Sequence, residues 1–289
     1  MILSGRNVLI TGGSGGIGSE LARALLARGA RVLLTGRNHA ALERTRSLLG
    51  KNLAPETVAT FNADLTDASE LEHLAAFARR WHGGIDVLVN NAGVSEFTLL
   101  EDASASAIEH TIATNVVAPL QLCRSLLPHL QAAASAHIVN IGSVFGAIGY
   151  PGFSVYSATK FALRGFSEAL RRELAGSRVH VHYFAPRATH TGFNDDAVEA
   201  MNDALGVTAD TPRDVATRIC ALLESGRGEA TLGWPEKLFV KLNALLPGIV
   251  DGSIARQLPV IRRYARAASA GLVETQSLTA LSDESTVPS

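Results

Sequence analysis

Short apolar runs alternate with longer segments of helical spacing along most of the chain. Six runs lack the regular polar–apolar alternation of a half-exposed sheet; they are Asn7–Ile10, Arg31–Leu34, Thr57–Asn62, Asp86–Val89, His137–Ile141 and Val179–Tyr183. Helical spacing marks the segments between them: Gly18–Arg28, His39–Leu49, Ser69–Trp81, Ala105–Ala132 and Val155–Leu174. Such alternation predicts an α/β fold with a doubly wound parallel sheet and helices on both of its faces. Continuous apolar strands agree, because both faces of such a sheet are covered.

Two regions depart from this rhythm. The segment Thr189–Asp210 is rich in polar and small residues and contains a short helical patch, Ala197–Leu205. After Gly233 the chain is interrupted by prolines and becomes basic, with six Lys and Arg residues against Asp251 alone between positions 237 and 266. We therefore expect a domain over 1–233, a basic amphipathic extension over 234–276 and a disordered, Ser/Thr-rich tail over 277–289.

The basic extension, with the possible membrane contact placed in 237–266, admits two interpretations. Leu238, Leu242 and Leu245 follow helical spacing between basic residues. Such a helix can lie on an anionic membrane surface, as a peripheral contact. Alternatively, it is an extra helix that packs on the domain or on a partner subunit. The packed helix is favoured, because Pro247 and Pro259 interrupt the pattern.

Composition narrows the class of protein. Hydrophobic residues make up 47% of the 289 residues, which excludes disorder of the whole chain. A formal net charge of −1 disfavours a nucleic-acid binder. The two cysteines, Cys123 and Cys220, lack the spacing of a metal site and cannot form a disulfide framework. We expect a reducing, cytoplasmic location, because no signal peptide and no apolar run of about 18 residues is visible.

A glycine-rich turn follows the first strand. Strand, tight glycine turn and helix start together suit a pyrophosphate, because backbone N–H groups and the helix dipole face the anion. The predicted contacts are Gly12, Ser14, Gly15, Gly16, Ile17 and Gly18. The alternative is a flexible loop without a ligand.

The end of the second strand bears on the choice of dinucleotide. An acidic residue here usually holds the ribose 2′-hydroxyl of NAD. In this chain Gly36 leaves that place empty and Arg37 follows. Since a guanidinium suits a 2′-phosphate, we predict NADP(H) rather than NAD(H). The alternative is a solvated arginine at a strand end.

Three further side chains suggest proton transfer to a carbonyl. Ser143 follows the fifth strand, at the edge where ligands bind in open parallel sheets. Tyr156 and Lys160 are four residues apart, which places them on one helix face. A lysine ammonium beside a phenol lowers the pKa of the phenol, which can then exchange a proton with a carbonyl oxygen. Alone, a Tyr-x-x-x-Lys pair is more often structural.

Taken together, these motifs resemble the short-chain dehydrogenase/reductase family. The matching set, in family order, is Thr11-Gly12-x-x-x-Gly16-Ile17-Gly18, Asn90-Asn91-Ala92-Gly93, Asn115, Ser143 and Tyr156-x-x-x-Lys160. The resemblance covers about residues 5 to 233. It implies a Rossmann-type sheet of about seven strands, a nicotinamide cofactor, a small-molecule carbonyl or alcohol substrate, and a homodimer or homotetramer.

The resemblance also implies roles for individual residues. Tyr156 would be the acid/base, Lys160 would bind the nicotinamide ribose and depress the Tyr156 pKa, and Ser143 would orient the substrate carbonyl. Asn115 would bend its helix and hold a water that relays protons to Lys160. The adenosine end would contact Asp64, Leu65, Asn90, Ala92 and Gly93, and the nicotinamide side Pro186, Thr189 and Thr191. The alternatives are a helix N-cap for Asp64 and a buried structural amide for Asn115.

One position departs from the family pattern. Arg187 stands where a glycine usually follows Pro186. If this position needs a positive φ or a close cofactor approach, an arginine would strain it. Otherwise Arg187 faces the substrate entrance.

The substrate side is apolar in composition. It includes Phe145, Ile148, Tyr150, Phe153, Phe193 and Met201, which suit a lipophilic ketone or serve as ordinary packing. The Thr189–Asp210 segment resembles the family's mobile lid. We therefore predict an NADP(H)-linked carbonyl reductase or alcohol dehydrogenase. The alternatives are a non-catalytic NADP-binding regulator or scaffold, and an epimerase or dehydratase on the same fold.

Overall fold

Seven parallel strands form one sheet in the order β3-β2-β1-β4-β5-β6-β7. The computed structural model describes residues 2–284, with side chains as far as Gly271. The strands are β1 Asn7–Thr11, β2 Arg31–Gly36, β3 Val58–Asn62, β4 Val87–Asn90, β5 Ala136–Ile141, β6 Val179–Ala185 and β7 Glu229–Thr231. The predicted doubly wound parallel sheet is confirmed. Because strand order reverses between β1 and β4, the crevice for a ligand lies at the carboxyl ends of these two strands.

Helices cover both faces of the sheet. They are α1 Gly16–Leu26, α2 His39–Gly50, α3 Ala68–Ala78, α4 Ala105–Ile112, α5 Ala118–Ala132, α6 Ser154–Glu173, α7 Asp196–Ala204, α8 Pro212–Ser225, α9 Glu236–Leu245 and α10 Pro247–Glu284. One face carries a core that joins α1 and α8 to the strands, and the other a core built with α3, α5 and α6. Burial on both faces explains why the strands are continuously apolar.

The pattern did not locate the seventh strand. Glu229–Thr231 has three residues, all only partly buried, at the edge of the sheet. Its hydrogen bonds to β6 define it, and a stretch this short and polar carries no apolar run.

The C-terminal extension forms two helices, α9 and α10. Pro259 lies inside α10, so the prediction that it interrupts the helix is wrong. Packing offsets the lost backbone hydrogen bond, since Ile261 and Ala265 are fully buried against the lid helix α7. Residues 277–284 continue this helix and 285–289 lie outside the described residues, so the expected domain, extension and disordered tail stay predictions. Elongating a formed helix costs far less than nucleating one.

No helix among residues 2–284 combines the length and apolar character needed to cross a bilayer.

A buried histidine pair links β5 to β6 far from the ligand edge. His137 Nδ1 lies 2.9 Å from His182 Nε2, and His182 Nδ1 lies 2.5 Å from the Arg227 carbonyl oxygen. Because a carbonyl only accepts, His182 carries its proton on Nδ1 and accepts from His137 at Nε2. Burial, together with the charges of the neighbouring His182 and His180, lowers the pKa of His137 to about 3, and burial also lowers the pKa of His182.

This pair predicts a loss of stability in acid. Below pH about 6.5, His137 binds a proton in the unfolded chain but not in the folded one. The free energy of unfolding therefore falls as pH drops from about 6.5 towards 3. Each such proton contributes up to about 1.4 kcal/mol per pH unit. Urea unfolding across this range should give a steeper slope for wild type than for His137→Gln. His73→Gln, at an exposed histidine, should keep the wild-type slope. Equal slopes for wild type and His137→Gln would contradict the prediction.

Candidate active site

Ser143 stands at the carboxyl edge of the sheet, two residues beyond β5. Its side chain caps the short 3₁₀ turn Val144–Gly146, where Oγ accepts a hydrogen bond from the Phe145 N–H at 3.1 Å. The turn is tied to the end of β6, because the Val144 N–H donates to the Pro186 carbonyl at 3.0 Å. The Ser143 hydroxyl is therefore held in place by backbone on both sides.

Tyr156 and Lys160 lie in the first two turns of α6, facing Ser143. The Ser143 side chain is close enough to the Tyr156 hydroxyl to lower the pKa of the phenol. The Lys160 Nζ lies 5.5 Å from the centre of the Tyr156 ring and donates to the Ile141 carbonyl at 3.0 Å. Lys160 is 4% exposed. The three side chains that the sequence singled out thus meet beside the end of β5.

Burial dominates the protonation of this group. It raises the pKa of Tyr156 above its usual value, and the neighbouring Ser143 side chain offsets only part of that rise. It also lowers the pKa of Lys160 to about 8. Burial therefore dominates the Tyr156 pKa in this structure, and the expected lowering of that pKa by Lys160 stays a prediction. Near neutral pH the phenol is protonated, the form that can donate to a carbonyl oxygen.

Asn115 interrupts the helix between α4 and α5. It lies in the π-helical turn Ala113–Val117, so the predicted single segment over Ala105–Ala132 is bent here. The buried amide accepts from the Val94 N–H at 2.8 Å and donates to the Val94 carbonyl at 2.8 Å and to Thr159 Oγ1 at 3.1 Å. These bonds fasten the loop after β4 to α6. They match the structural alternative for this side chain, and its relay role stays a prediction.

The glycine turn between β1 and α1 has the shape of an anion cradle. Gly12 adopts a φ of +64°, and a Cβ on Gly18 would collide with the Gly12 carbonyl oxygen. A Cβ on Gly16 would lie 2.6 Å from the Thr191 side chain. No side chain caps the start of α1, so the first amides of this helix face the crevice. A pyrophosphate fits these features, because it supplies the acceptors that a capping side chain would give.

Arg37 lies at the far end of the same crevice, just beyond β2. Its Nη1 is 3.4 Å from His110 Nε2, and the positive charges of both side chains act on Asp64. Burial by itself would raise the Asp64 pKa, but hydrogen bonds from Thr66 and these charges lower it below its usual value. Asp67 is the N-cap of α3, so Asp64 does not have the helix-capping role that was its alternative.

The turn after β4 is fixed to the glycine turn. Thr11 Oγ1 accepts from the N–H groups of Asn91 and Ala92 at 3.0 and 2.9 Å, and Asn91 Nδ2 donates to the Thr11 carbonyl at 2.9 Å. The sequence-based site omitted Asn91, although the quoted motif contains it. Asn90 points the other way: its buried amide donates to Asn140 Oδ1 at 2.8 Å. The Asn90 side chain is therefore used within the fold, and the predicted place of Asn90 beside the adenosine ribose stays a prediction that its backbone would have to meet.

Comparison with known proteins decides the family. The model of the family described as short chain dehydrogenase matches residues 6–202. This chain belongs to the short-chain dehydrogenase/reductase family. As a member, it is an oxidoreductase of the dehydrogenase/reductase type that uses a nicotinamide cofactor.

Relatives and solved structures agree. The chain is 34% identical to dehydrogenase/reductase SDR family member 7B of Bos taurus, over 84% of this chain and 78% of that protein. It is 33% identical to ketoacyl reductase HetN of Nostoc sp., over 86% of this chain and 88% of that protein. Among solved structures, a short-chain dehydrogenase from Sphingobium yanoikuyae in complex with NADPH superposes with a TM-score of 0.73 at 26% identity, covering 85% of this chain and 95% of that one.

Arg187, which stands where the family usually has a glycine, forms two ion pairs. His82 is the one non-glycine residue with positive φ in the described part of the chain, so Arg187 is not strained in the way the sequence suggested. Its Nη2 lies 2.7 Å from Asp210 Oδ1, and its Nη1 lies 3.6 Å from Glu236 Oε2. Arg187 thus joins the end of the lid segment to the start of α9.

The remaining nicotinamide-side residues also bind one another. Thr189 Oγ1 donates to the Arg187 carbonyl at 3.0 Å, so the proton of this buried hydroxyl already has a hydrogen-bond acceptor within the protein. The lid segment is closed at its base, where the His190 N–H donates to the Asp210 carbonyl at 3.0 Å and the Asp210 N–H to the Ala188 carbonyl at 2.8 Å. Thr191, which touches Gly16, reaches furthest towards the pyrophosphate cradle.

Tyr183, on β6, is a positioning residue that the sequence did not indicate. Its hydroxyl donates to the Ser143 carbonyl at 3.3 Å, and its ring fills the space beside Gly142 and Gly146. A Cβ on either glycine would collide with this ring. Burial raises the pKa of Tyr183 to about 12, so the hydroxyl stays a donor near neutral pH. The pair of glycines around Ser143 was the available sequence signal.

Aromatic rings surround the Tyr156 side chain. The centres of Phe193, Phe153 and Phe145 lie 6.0, 6.3 and 6.4 Å from that of Tyr156. Of the other candidates, Met201 is buried in the same cluster, whereas Ile148 packs in a second cluster with Val250 of α10. Tyr150 donates to Gln257 Oε1 at 2.7 Å. The C-terminal helices therefore pack over the substrate side of the domain, as expected if the extension is a helix packed on the domain.

Proposed function

We propose that this family member catalyses NADP(H)-linked reduction of a lipophilic ketone or aldehyde, and the reverse oxidation of the alcohol. One observation carries the proposal: Ser143 and Tyr156 lie side by side at the ligand edge of the sheet, with the Lys160 ammonium over the phenol ring. Bound NADPH would supply a hydride to the carbonyl carbon. The side chains around it would supply the proton and the orientation.

The proposed roles follow from the geometry. The protonated phenol of Tyr156 donates its proton to the carbonyl oxygen as that oxygen gains negative charge. The Ser143 hydroxyl donates a second hydrogen bond to the same oxygen and holds the substrate in line. Lys160, near Gly93, binds the ribose hydroxyls beside the nicotinamide and stabilises the phenolate that remains. Asn115 keeps α6 in register with the loop after β4, and a water held there would return a proton through Lys160.

The preference for NADP(H) rests on Arg37. With Gly36 in place of an acidic residue, the nearest charge at the adenosine ribose is the guanidinium, which forms charge-assisted hydrogen bonds with a 2′-phosphate. Ser14 lies on the same side, because a Cβ on Gly36 would be 3.9 Å from its Oγ. Asp64 and the Leu65 backbone would hold the adenine, and Ala92 and Gly93 the ribose side. The NADPH bound by the Sphingobium yanoikuyae protein supports this choice.

The substrate class rests on the aromatic surroundings of Tyr156. Phe145, Phe153 and Phe193 offer apolar faces to a ligand. The relative named ketoacyl reductase HetN is consistent with an oxo substrate on a hydrocarbon chain. We further propose a homodimer or homotetramer and a cytoplasmic location, as in the expectation from sequence.

The experiment is a screen of NADPH consumption with aliphatic ketones, aromatic ketones and aldehydes of increasing chain length. We expect turnover that rises with apolar chain length, together with product alcohol equal to the NADPH oxidised. Tight NADPH binding without turnover of any substrate would favour the non-catalytic regulator or scaffold. Product formed without net cofactor oxidation would favour an epimerase or dehydratase.

A further inference from the structure

Large apolar side chains are concentrated on the outside of α9 and the turns on either side of it. Trp234 is 72% exposed, Leu245 79% and Leu246 53%. We call this surface the α9 patch; its members are Trp234, Leu238, Phe239, Leu245, Leu246 and Ile249. Elsewhere in the described chain, exposed apolar residues such as Leu48 and Leu100 are spread over separate elements. A concentration of this kind marks an interaction surface.

The helix that carries the α9 patch is itself in contact with the domain. Two side chains of α9 are partly buried, since Val240 and Leu242 pack against the cluster of Val144, Ile148 and Val250. Polar contacts hold it as well: Asn243 Nδ2 donates to the Ala147 carbonyl at 2.9 Å. The helix thus contacts the turn that begins at Ser143, while Leu238, Phe239, Leu245 and Leu246 beside the contact remain exposed.

The charged residues between positions 237 and 266 are basic except for Asp251. Lys237 and Lys241 are exposed on α9, and residues 237–266 contain four arginines further on, against Asp251 alone. Glu236, at the start of α9, pairs with Arg187. We propose that the α9 patch docks on an anionic lipid surface, with the apolar side chains in the acyl boundary and the two lysines at the headgroups. Trp, Phe and Leu beside Lys are the composition of such interfacial helices.

Charge argues against a second copy of this chain as the occupant. A two-fold interface centred on the patch would bring Lys237 and Lys241 against the same residues of the other subunit, which is a repulsive arrangement. Lysine is also depleted in the cores of protein interfaces. A lipid surface, by contrast, gains about 1 kcal/mol for each lysine near anionic headgroups.

Docking would give the substrate a route to the site, and this part of the inference rests on the proposed function. Because α9 contacts the Ser143 turn, a lipophilic carbonyl compound would reach Tyr156 from the bilayer side. Membrane binding itself needs neither cofactor nor turnover, and therefore it is measured separately from the reaction.

The test uses the full chain with lipid vesicles, in flotation and in quenching of tryptophan fluorescence by brominated lipid. We expect binding to phosphatidylcholine vesicles that contain phosphatidylglycerol, weaker binding without it, and release by salt. Lys237→Gln with Lys241→Gln should lower the partition coefficient about 30-fold, at about 1 kcal/mol for each charge. Leu238→Gln with Leu245→Gln should lower it at least about tenfold. Trp234→Phe should remove most of the quenching, since Trp81 is the other tryptophan.

The matched control is Leu48→Gln with Leu53→Gln, two exposed leucines elsewhere. It should bind vesicles like wild type. Turnover of a water-soluble carbonyl compound should stay unchanged in the α9 patch variants, so failure of docking and failure of the proposed function are distinguishable. Absence of binding to both kinds of vesicle, or equal binding by the patch variants, overturns the proposal. So does conversion of a dimer into monomers by the patch variants, which would assign the surface to a second copy.

Discussion

Replacing Tyr156 with phenylalanine is expected to lower kcat for carbonyl reduction by about 100- to 10 000-fold. Phenylalanine keeps the ring among Phe145, Phe153 and Phe193 but removes the hydroxyl beside Ser143. The Ser143 hydroxyl can still donate a hydrogen bond to the substrate carbonyl, but the proposed proton donor is gone. Steady-state kinetics on the best substrate of the screen, with NADPH binding measured by fluorescence titration, checks this. NADPH affinity should change little.

Tyr264→Phe is the matched control for this substitution. Tyr264 packs at the edge of the same apolar cluster, and its hydroxyl lies beside Arg263 rather than Ser143. Its removal should leave kcat near the wild-type value. If Tyr156→Phe kept most of the turnover while remaining folded by circular dichroism, Tyr156 would lose its role as the acid.

Replacing Arg37 with leucine is expected to weaken NADPH binding by about 10- to 100-fold and to leave NADH binding nearly unchanged. The reason is the loss of hydrogen bonds to a charged group, which contribute about 1.5–3 kcal/mol. Arg37 has one neighbour in the described structure that competes for it, His110 at 3.4 Å, so the guanidinium is available to a phosphate. Isothermal titration with both dinucleotides measures the ratio directly.

The control for Arg37 is Arg44→Leu, at an exposed arginine of the nearby helix α2. Salt should weaken NADPH binding by wild type more than by Arg37→Leu, because the phosphate contact is electrostatic. Equal losses of NADPH and NADH affinity in Arg37→Leu would mean that Arg37 supports the adenine in general. The preference for NADP(H) would then have no basis at this position.

The distribution of apolar residues was enough to predict the fold. Six of the seven strands and the helical segments between them follow from it, because burial on both faces of a sheet and on one face of a helix leaves local periods in the sequence; helix α8, Pro212–Ser225, was not predicted. The carboxyl edge of a parallel sheet predicted the place of Ser143, and the family resemblance implied that Tyr156 would meet it there. The strand β7 was not, because three half-buried residues leave no period.

Contacts between distant parts of the chain were beyond the sequence pattern. From the sequence, Arg187 was expected either to be strained or to face the substrate entrance. Instead it forms ion pairs with Asp210 and Glu236, which lie 23 and 49 positions away along the chain. The inward turn of Asn90 depends on Asn140, 50 positions along the chain. No local spacing encodes such pairs, because they form only when separate elements pack.

The sequence by itself determined the order of strands and helices, the glycine turn and the types of side chain at the ligand edge. These are set by local spacing, which hydrophobic burial and helix geometry convert directly into structure. Tertiary structure alone decided that Tyr156 is buried, which raises the pKa of its hydroxyl. It also decided which side chains of α9 are packed and which are exposed, since that depends on the surface against which the helix comes to rest.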